Sequence, residues 1–332
     1  MTRSLSKIAL AMTLMVVTLG ALTRLLDAGL GCPDWPGCYG HFIPPNSESY
    51  HGTAIIDHGK AWMEMIHRYL AAALGLVIVI LAVKIERDKT LTSSTRWLGR
   101  ALLILVIVQG LFGMLTVTMN LLPQVVTLHL LGGMLLLALL FLLVLHLGSI
   151  KFIPTSAKLR SLALMVLLIL SCQIALGGWT SSNYAGLACP DFPTCQQQWL
   201  PEMNLTTAFN ISQISNDNYL GGVLSAQDVV TIQVVHRLFA LVLLSAVVML
   251  VIGLWSSADL RKSASLLLVL TFTQVGLGIA NAVLLLPLPL ALAHNTGAAL
   301  LLLNVVYLNY ILVTKQEYAK PLNIKPNSIS LR

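Results

Sequence analysis

Ala28-Gly29-Leu30-Gly31-Cys32-Pro33-Asp34-Trp35-Pro36-Gly37-Cys38 returns, little altered, as Ala185-Gly186-Leu187-Ala188-Cys189-Pro190-Asp191-Phe192-Pro193-Thr194-Cys195. The copies lie 157 residues apart at both cysteines, so the Cys-to-Cys spacing is kept and the loops match without a gap. Self-similarity at a fixed offset marks a duplication, and the rest of the chain can be read as one half against the other.

With 57% hydrophobic and only 10% charged residues, the 332-residue chain has too little polar surface for a soluble globule. Apolar runs long enough to cross about 30 Å of hydrocarbon fall at residues 8–24, 62–83, 101–119, 126–148, 161–180, 229–255, 263–285 and 290–313. The reading is an all-α integral membrane protein whose eight transmembrane helices form two tandem, pseudo-symmetric four-helix bundles, residues 1–150 and 151–332. If the N-terminus is cytoplasmic, every Lys and Arg lies on the inside except Arg24, Lys60, Arg68 and Arg237, which sit at outer helix ends. The positive-inside rule therefore places both termini in the cytoplasm. The net charge of +7 reflects this topology and not nucleic-acid binding. The first run follows Arg3 and Lys7 but lacks an A-x-A-like cleavage site and precedes seven more spans, so it reads as a retained helix.

Four of the five cysteines occupy the repeated outer loops, and Cys172 lies in an apolar helix as packing. Paired cysteines on the oxidising side of a membrane are disulfide candidates. Their C-x5-C spacing with two intervening prolines favours a staple over the C-x-x-C of redox pairs. The first outer loop also carries His41, His51 and His58 without regular spacing, which reads as a solvated loop in preference to a metal site. The second, residues 181–228, is polar and long enough to fold over the membrane face. Gln109-x3-Gly113, Gln173-x3-Gly177 and Gln274-x3-Gly278 each put an amide and a glycine on one helix face.

Four histidines recur by the same internal alignment: His67 with His236 and His129 with His294. Each lies one to two turns inside the outer end of an even-numbered span. Ionisable residues inside a membrane are costly and functional by default. Two histidines at equal depth on two helices of one bundle meet the requirement for axial ligation of a haem in the bundle core. Gly132 and Gly297, three residues after His129 and His294, would leave room for a porphyrin face, and Arg68 and Arg237 would pair with haem propionates at the water boundary. A single histidine could equally be interhelical glue; four at symmetric positions, each with Arg or Gly, favour haem. Pairing within each half is the simpler geometry, and pairing across halves stays open. His146 has no counterpart and reads as an interface residue.

The halves differ one turn before the first histidine of each pair, where Glu64 is answered by Gln233. A carboxylate beside one proposed haem and an amide beside the other suggests that one haem is acted upon while the other passes electrons. The alternative is that Glu64 snorkels to the outer surface.

On Glu64-x-x-His67-Arg68, His129, His236-Arg237, His294 and the paired outer-loop cysteines, spread over nearly the whole chain, the sequence resembles the heme A synthase family. That resemblance implies an oxidoreductase that turns a ring methyl of heme O into formyl, giving heme A for terminal oxidases by two successive hydroxylations. It implies that His67 and His129 hold substrate heme O beside Glu64 as acid/base group, and that His236 and His294 ligate the iron of heme b. It implies disulfides Cys32–Cys38 and Cys189–Cys195, a redox role for the first pair having been entertained in the family. It further implies a bacterial inner membrane with the cysteine loops in the periplasm, a heme O synthase and terminal oxidase assembly proteins as partners, and self-association as an option. A non-catalytic, cytochrome b-like di-haem carrier would need no Glu64. A thiol-oxidising protein built on Cys32 and Cys38 would be indifferent to the histidines.

Overall fold

The computed structural model describes residues 2–46, 49–50, 54–148, 150–212 and 218–314. Its long helices are α1 (Thr2–Leu25), α2 (His58–Arg87), α3 (Ser93–Thr118), α4 (Pro123–His146), α5 (Ala157–Ser182), α7 (Ala226–Trp255), α8 (Arg261–Val283) and α9 (Leu288–Ile311); a single turn, α6 (Leu205–Ala208), lies in the second outer loop. These eight long helices are apolar enough to span a membrane. All eight begin ahead of the apolar runs that announce them, and at four of these starts a polar cap continues the hydrogen-bond ladder. Asp57 caps α2 by accepting from the Lys60 N–H, Thr92 and Ser156 cap α3 and α5, and Ser225 with Asp228 forms a capping box at α7.

α1 and α3 each pack on α2 and α4, closing one ring of four; α5 and α8 each pack on α7 and α9, closing a second. Leu81, Leu102 and Leu140 fill the inner half of the first ring, and Leu250, Leu267 and Val305 that of the second. The rings meet where α4 lies on α5 and α9, and α1 lies on α9. Short strands β1 (Ser49–Tyr50) and β2 (Ala54–Ile55) pair antiparallel in the first outer loop, while β3 (Ile153–Thr155) pairs parallel with β4 (Leu312–Thr314). His51 and the chain beyond Thr314 lie outside the described residues.

The repeat extends to the backbone. α3 ends with Asn120 and Leu121 at positive φ and a bond from Leu121 N–H to Thr116 O; α8 ends with Leu285 and Leu286 at positive φ and a bond from Leu286 N–H to Asn281 O. This is the left-handed helix stop that normally favours glycine. Across the seam, equivalent positions of the two copies touch. The Arg24 guanidinium donates to the Ser181 carbonyl, pairs with Asp27 at 3.1 Å and lies over the Tyr184 ring, whose hydroxyl donates to Asp27 at 2.9 Å. Ser181 and Tyr184 stand 157 residues after Arg24 and Asp27, the offset of the cysteine loops. Tyr184→Phe is expected to cost about 0.5–1.5 kcal/mol, a typical net hydrogen bond, and Arg24→Ala about 1.5–3 kcal/mol for charged ones. Thermal melts of the purified protein measure both; equal melts for the two variants and the parent would show that the seam rests on apolar packing alone.

Candidate functional site

Each of the four recurring histidines lies against a glycine of the neighbouring helix. A methyl group at Gly20 (α1) would sit 3.0 Å from the His67 ring on α2, at Gly113 (α3) 3.4 Å from His129 on α4, at Gly177 (α5) 3.5 Å from His236 on α7, and at Gly278 (α8) 3.2 Å from His294 on α9. Gly20 and Gly177 are repeat mates, as are Gly113 and Gly278. Three of these glycines stand out in the sequence through the Gln-x3-Gly pattern. Gly20 does not, because the residue four before it is Val16.

His67 and His129 stand on α2 and α4 of the first ring of helices, and His236 and His294 on α7 and α9 of the second. The Nδ1 atoms of His67, His129 and His294 are buried without a hydrogen-bond partner. An unmet buried polar atom costs about 1–3 kcal/mol, and three at repeat-related positions mark a place built for something more than helix packing. Imidazole pairs with glycine clefts opposite them fit bis-histidine haem. Gly132 and Gly297, by contrast, do not open onto free space. They face the side chains of Gln109 and Gln274, and Gln274 Nε2 donates to the His294 carbonyl at 2.8 Å. The room there is for an amide from the adjacent helix. His41 lies in the first outer loop and His58 is the first residue of α2; among the described residues, no group of three or more His, Cys, Asp and Glu could hold a metal ion. His146 stacks obliquely on Tyr310.

The disulfides Cys32–Cys38 and Cys189–Cys195 are both formed. In each loop the aspartate of Cys-Pro-Asp organises the turn: Asp34 accepts from the Tyr39 and Gly40 N–H groups at 2.6 and 2.9 Å, Asp191 from Gln196 and Gln197 at 2.7 and 2.9 Å. The Thr194 hydroxyl, ahead of those N–H groups, holds the Asp191 carboxyl below the usual carboxylate range. The arginine after each first histidine clamps the loop to its helix. Arg68 donates to the carbonyls of Asp34 at 2.9 Å and Gly37 at 2.6 Å; Arg237 donates to those of Cys189, Asp191 and Thr194 at 2.6, 2.9 and 2.8 Å. Both guanidiniums, expected at haem propionates, are thus also the fasteners of the outer loops.

Glu64 does not reach for the surface. It is 4% exposed, accepts the Cys32 N–H at 2.9 Å and is ion-paired with Arg68. Gln233, its counterpart, is 8% exposed with an unpartnered Oε1. The carboxylate therefore ties the first disulfide to the helix that carries His67, one turn before that histidine.

This helix count, loop pair and histidine set can be compared with known proteins. The family model of the cytochrome oxidase assembly proteins (COX15-CtaA) matches residues 3–306. The chain belongs to that family. It is 42% identical over 323 residues to a heme A synthase of Shewanella oneidensis, covering 94% of this chain and 97% of that one. A heme A synthase of Halalkalibacterium halodurans is 28% identical over 57% of this chain and 63% of its own, and one of Caulobacter vibrioides 33% identical over 36% and 35%. Family and helices together make this a multi-pass inner-membrane protein of the oxidase assembly apparatus.

Gly31 is where the first loop meets α2 most closely: a methyl there would fall 2.5–2.8 Å from the backbone of Lys60 and Ala61. The second copy carries Ala188 at this place. Gly31→Ala is expected to lower stability by about 1–3 kcal/mol through overpacking, read as a reduced melting temperature, whereas Ala188→Gly changes it by at most about 1 kcal/mol. An unshifted melt for Gly31→Ala would mean that the loop is not seated on the Lys60 backbone.

Proposed function

We propose that this protein is a heme A synthase, converting heme O to heme A by oxidising one porphyrin methyl group to formyl. The observation that carries the reading is the buried carboxylate of Glu64, one turn from His67, in one half only of a duplicated site, within a chain 42% identical to a heme A synthase. Residues 1–150 form the substrate half, with His67 and His129 holding heme O. Residues 151–332 form the electron-transfer half, in which His236 and His294 would hold the iron of heme b. Heme b, when bound there, supplies a one-electron relay for the electrons leaving the substrate.

The chemistry asked of the chain is removal of four electrons from a methyl carbon in two stages, first to an alcohol, then to a hydrated aldehyde that loses water to leave formyl. Each stage releases protons near a carbon in a low-dielectric bundle. Glu64 is the group that accepts a proton or activates water there. Its ion pair with Arg68 and its bond from the Cys32 N–H keep it aimed while the loop above excludes bulk water. A guanidinium has five N–H donors, so Arg68 and Arg237 can hold a loop and a propionate together. The disulfide loops face the periplasm, the termini the cytoplasm, and a heme O synthase delivers the substrate to the first half, whether the protein acts as one chain or self-associates.

Glu64→Gln tests this. Expressed in a host that makes heme O, the variant is expected to retain heme b and heme O on extraction but to yield at least about a hundredfold less heme A than the parent, the scale of a lost acid/base group. A parent protein that carries two heme b groups and never forms heme A would instead be a di-haem electron carrier.

A further inference from the structure

The cysteine loops repeat beyond their second cysteine. Phe42-Ile43-Pro44 stands 157 residues before Trp199-Leu200-Pro201, so an aromatic, an aliphatic and a proline recur at the same place in both copies. The two prolines are buried, but the large side chains before them face outward. Phe42 is 75% exposed, Ile43 65%, Trp199 79% and Leu200 74%, beyond lipid-facing helix positions such as Leu76 at 63% and Leu241 at 59%. No Lys, Arg, Asp or Glu lies from Gly40 to Pro45 or from Gln196 to Pro201. Apolar side chains this bare, rimmed by polar chain, mark an interaction surface.

Hydrogen bonds to the helices fix the height of both tips. On the first, Arg68 holds the Gly37 carbonyl at 2.6 Å and the Tyr69 hydroxyl donates to the Phe42 carbonyl. On the second, Arg237 holds the Thr194 carbonyl at 2.8 Å and the Asn204 N–H donates to the Thr231 hydroxyl at 2.9 Å. All four helix residues lie inside the apolar runs 62–83 of α2 and 229–255 of α7. Tyr69 and Arg237 stand roughly 10–12 Å past the starts of those runs, at 1.5 Å per residue. Part of that depth is returned because helical side chains lean toward the helix start. The tips therefore lie beside the outer ends of the apolar spans and not above them.

We propose that Phe42-Ile43 and Trp199-Leu200 are two repeat-related anchors that seat the disulfide loops in the lipid leaflet on their side of the membrane, each aromatic ring lying at the headgroup level. Aromatic side chains collect at the membrane–water boundary, and aromatic and aliphatic groups together insert at the border of headgroups and acyl chains. A docked protein is the other occupant such a surface could take. The rings of helices meet through α1, α4, α5 and α9, whereas α2 packs on α1 and α3, and α7 on α5 and α8. The tips thus stand on separate flanks, each beside a helix away from the seam. Lipid surrounds both flanks, and a single docked protein reaches one. Neither anchor depends on which haem its half carries. Because Arg68 and Arg237 follow His67 and His236 and hold the same loops, a tip seated in lipid also keeps the cap in place beside that histidine.

The test uses the full chain in phosphatidylcholine nanodiscs and reads tryptophan emission. Trp199→Phe removes one emitter, so its difference from the parent is the Trp199 signal, and Phe42→Trp adds an emitter at the other tip. Both substitutions exchange one exposed aromatic ring for another and leave the fold intact. Each signal is expected to lose most of its intensity when the lipid carries bromine near the headgroup end of its acyl chains, and to lose little to iodide in the water. A signal that brominated lipid leaves unchanged, at either tip, overturns the inference, and iodide then names the alternative. Quenching by iodide puts the tip in water, as a surface free for a protein partner. Shielding from iodide as well puts it against protein.

Discussion

Four times in this fold an imidazole is pressed against a neighbouring helix at a point where that helix has no side chain, and the arrangement of the bundles follows from that contact. An imidazole on a lipid-facing surface would carry its polar atoms into hydrocarbon, so it must point inward. Pointing inward between helices packed at ordinary distances, it needs a notch in the opposite wall. Gly20, Gly113, Gly177 and Gly278 are those notches, and each brings a specific helix pair into register. The small-residue contacts that usually let membrane helices approach one another are used here to let a ring lie flush against a backbone.

The outer loops obey a second constraint. A loop over a membrane site must be held without a large apolar core beneath it, and here a charged side chain rising from the helix does so. Arg68 and Arg237 each gather loop carbonyls, while Asp34 and Asp191 gather loop N–H groups from the other side. The disulfide then closes a turn whose backbone polar groups are already met. In the first copy Glu64 joins this system through Arg68 and the Cys32 N–H, and so one buried carboxylate binds the cap to the helix below it.

How much of this was legible beforehand depended on whether the signal was local. The eight spans, the duplication, the paired cysteines and the four histidines could be read directly, because hydropathy, spacing and repetition are properties of the linear chain. The N-terminal ends of the helices were read short, since hydropathy marks the lipid slab while Asp57, Thr92 and Ser225 extend the helix into water. Gly20 was missed because Val16 stands where the glutamine would have announced it. Gly132 and Gly297 were noticed but given the wrong neighbour: a glycine signals a close approach without saying of what, and the occupant, a glutamine amide, comes from another helix. The depth of Glu64 was equally hidden, since a carboxylate near a helix start is exposed or buried according to whether a distant loop folds over it.

Duplication explains the frame, and divergence at a few positions gives its two copies unlike polar surroundings. In an arrangement related by a two-fold axis, a position near the axis meets its own equivalent. Position 24 meets 181 and position 27 meets 184 at the seam of this chain. With identical copies Arg24 would face an arginine and Asp27 an aspartate, and each like-charged pair would be repelled. Ser181 and Tyr184 replace those repulsions with a carbonyl acceptor, a hydroxyl donor and an aromatic face, so that the halves fit only as unlike partners. The same freedom, once two copies are joined in one chain, lets Glu64 differ from Gln233 and Val16 from Gln173 at otherwise equivalent depth. Neither exchange alters the notch or the imidazole it receives. The Glu64/Gln233 exchange changes only the polar group one turn before the ring, and the Gln173/Val16 exchange puts an amide beside it in one copy alone.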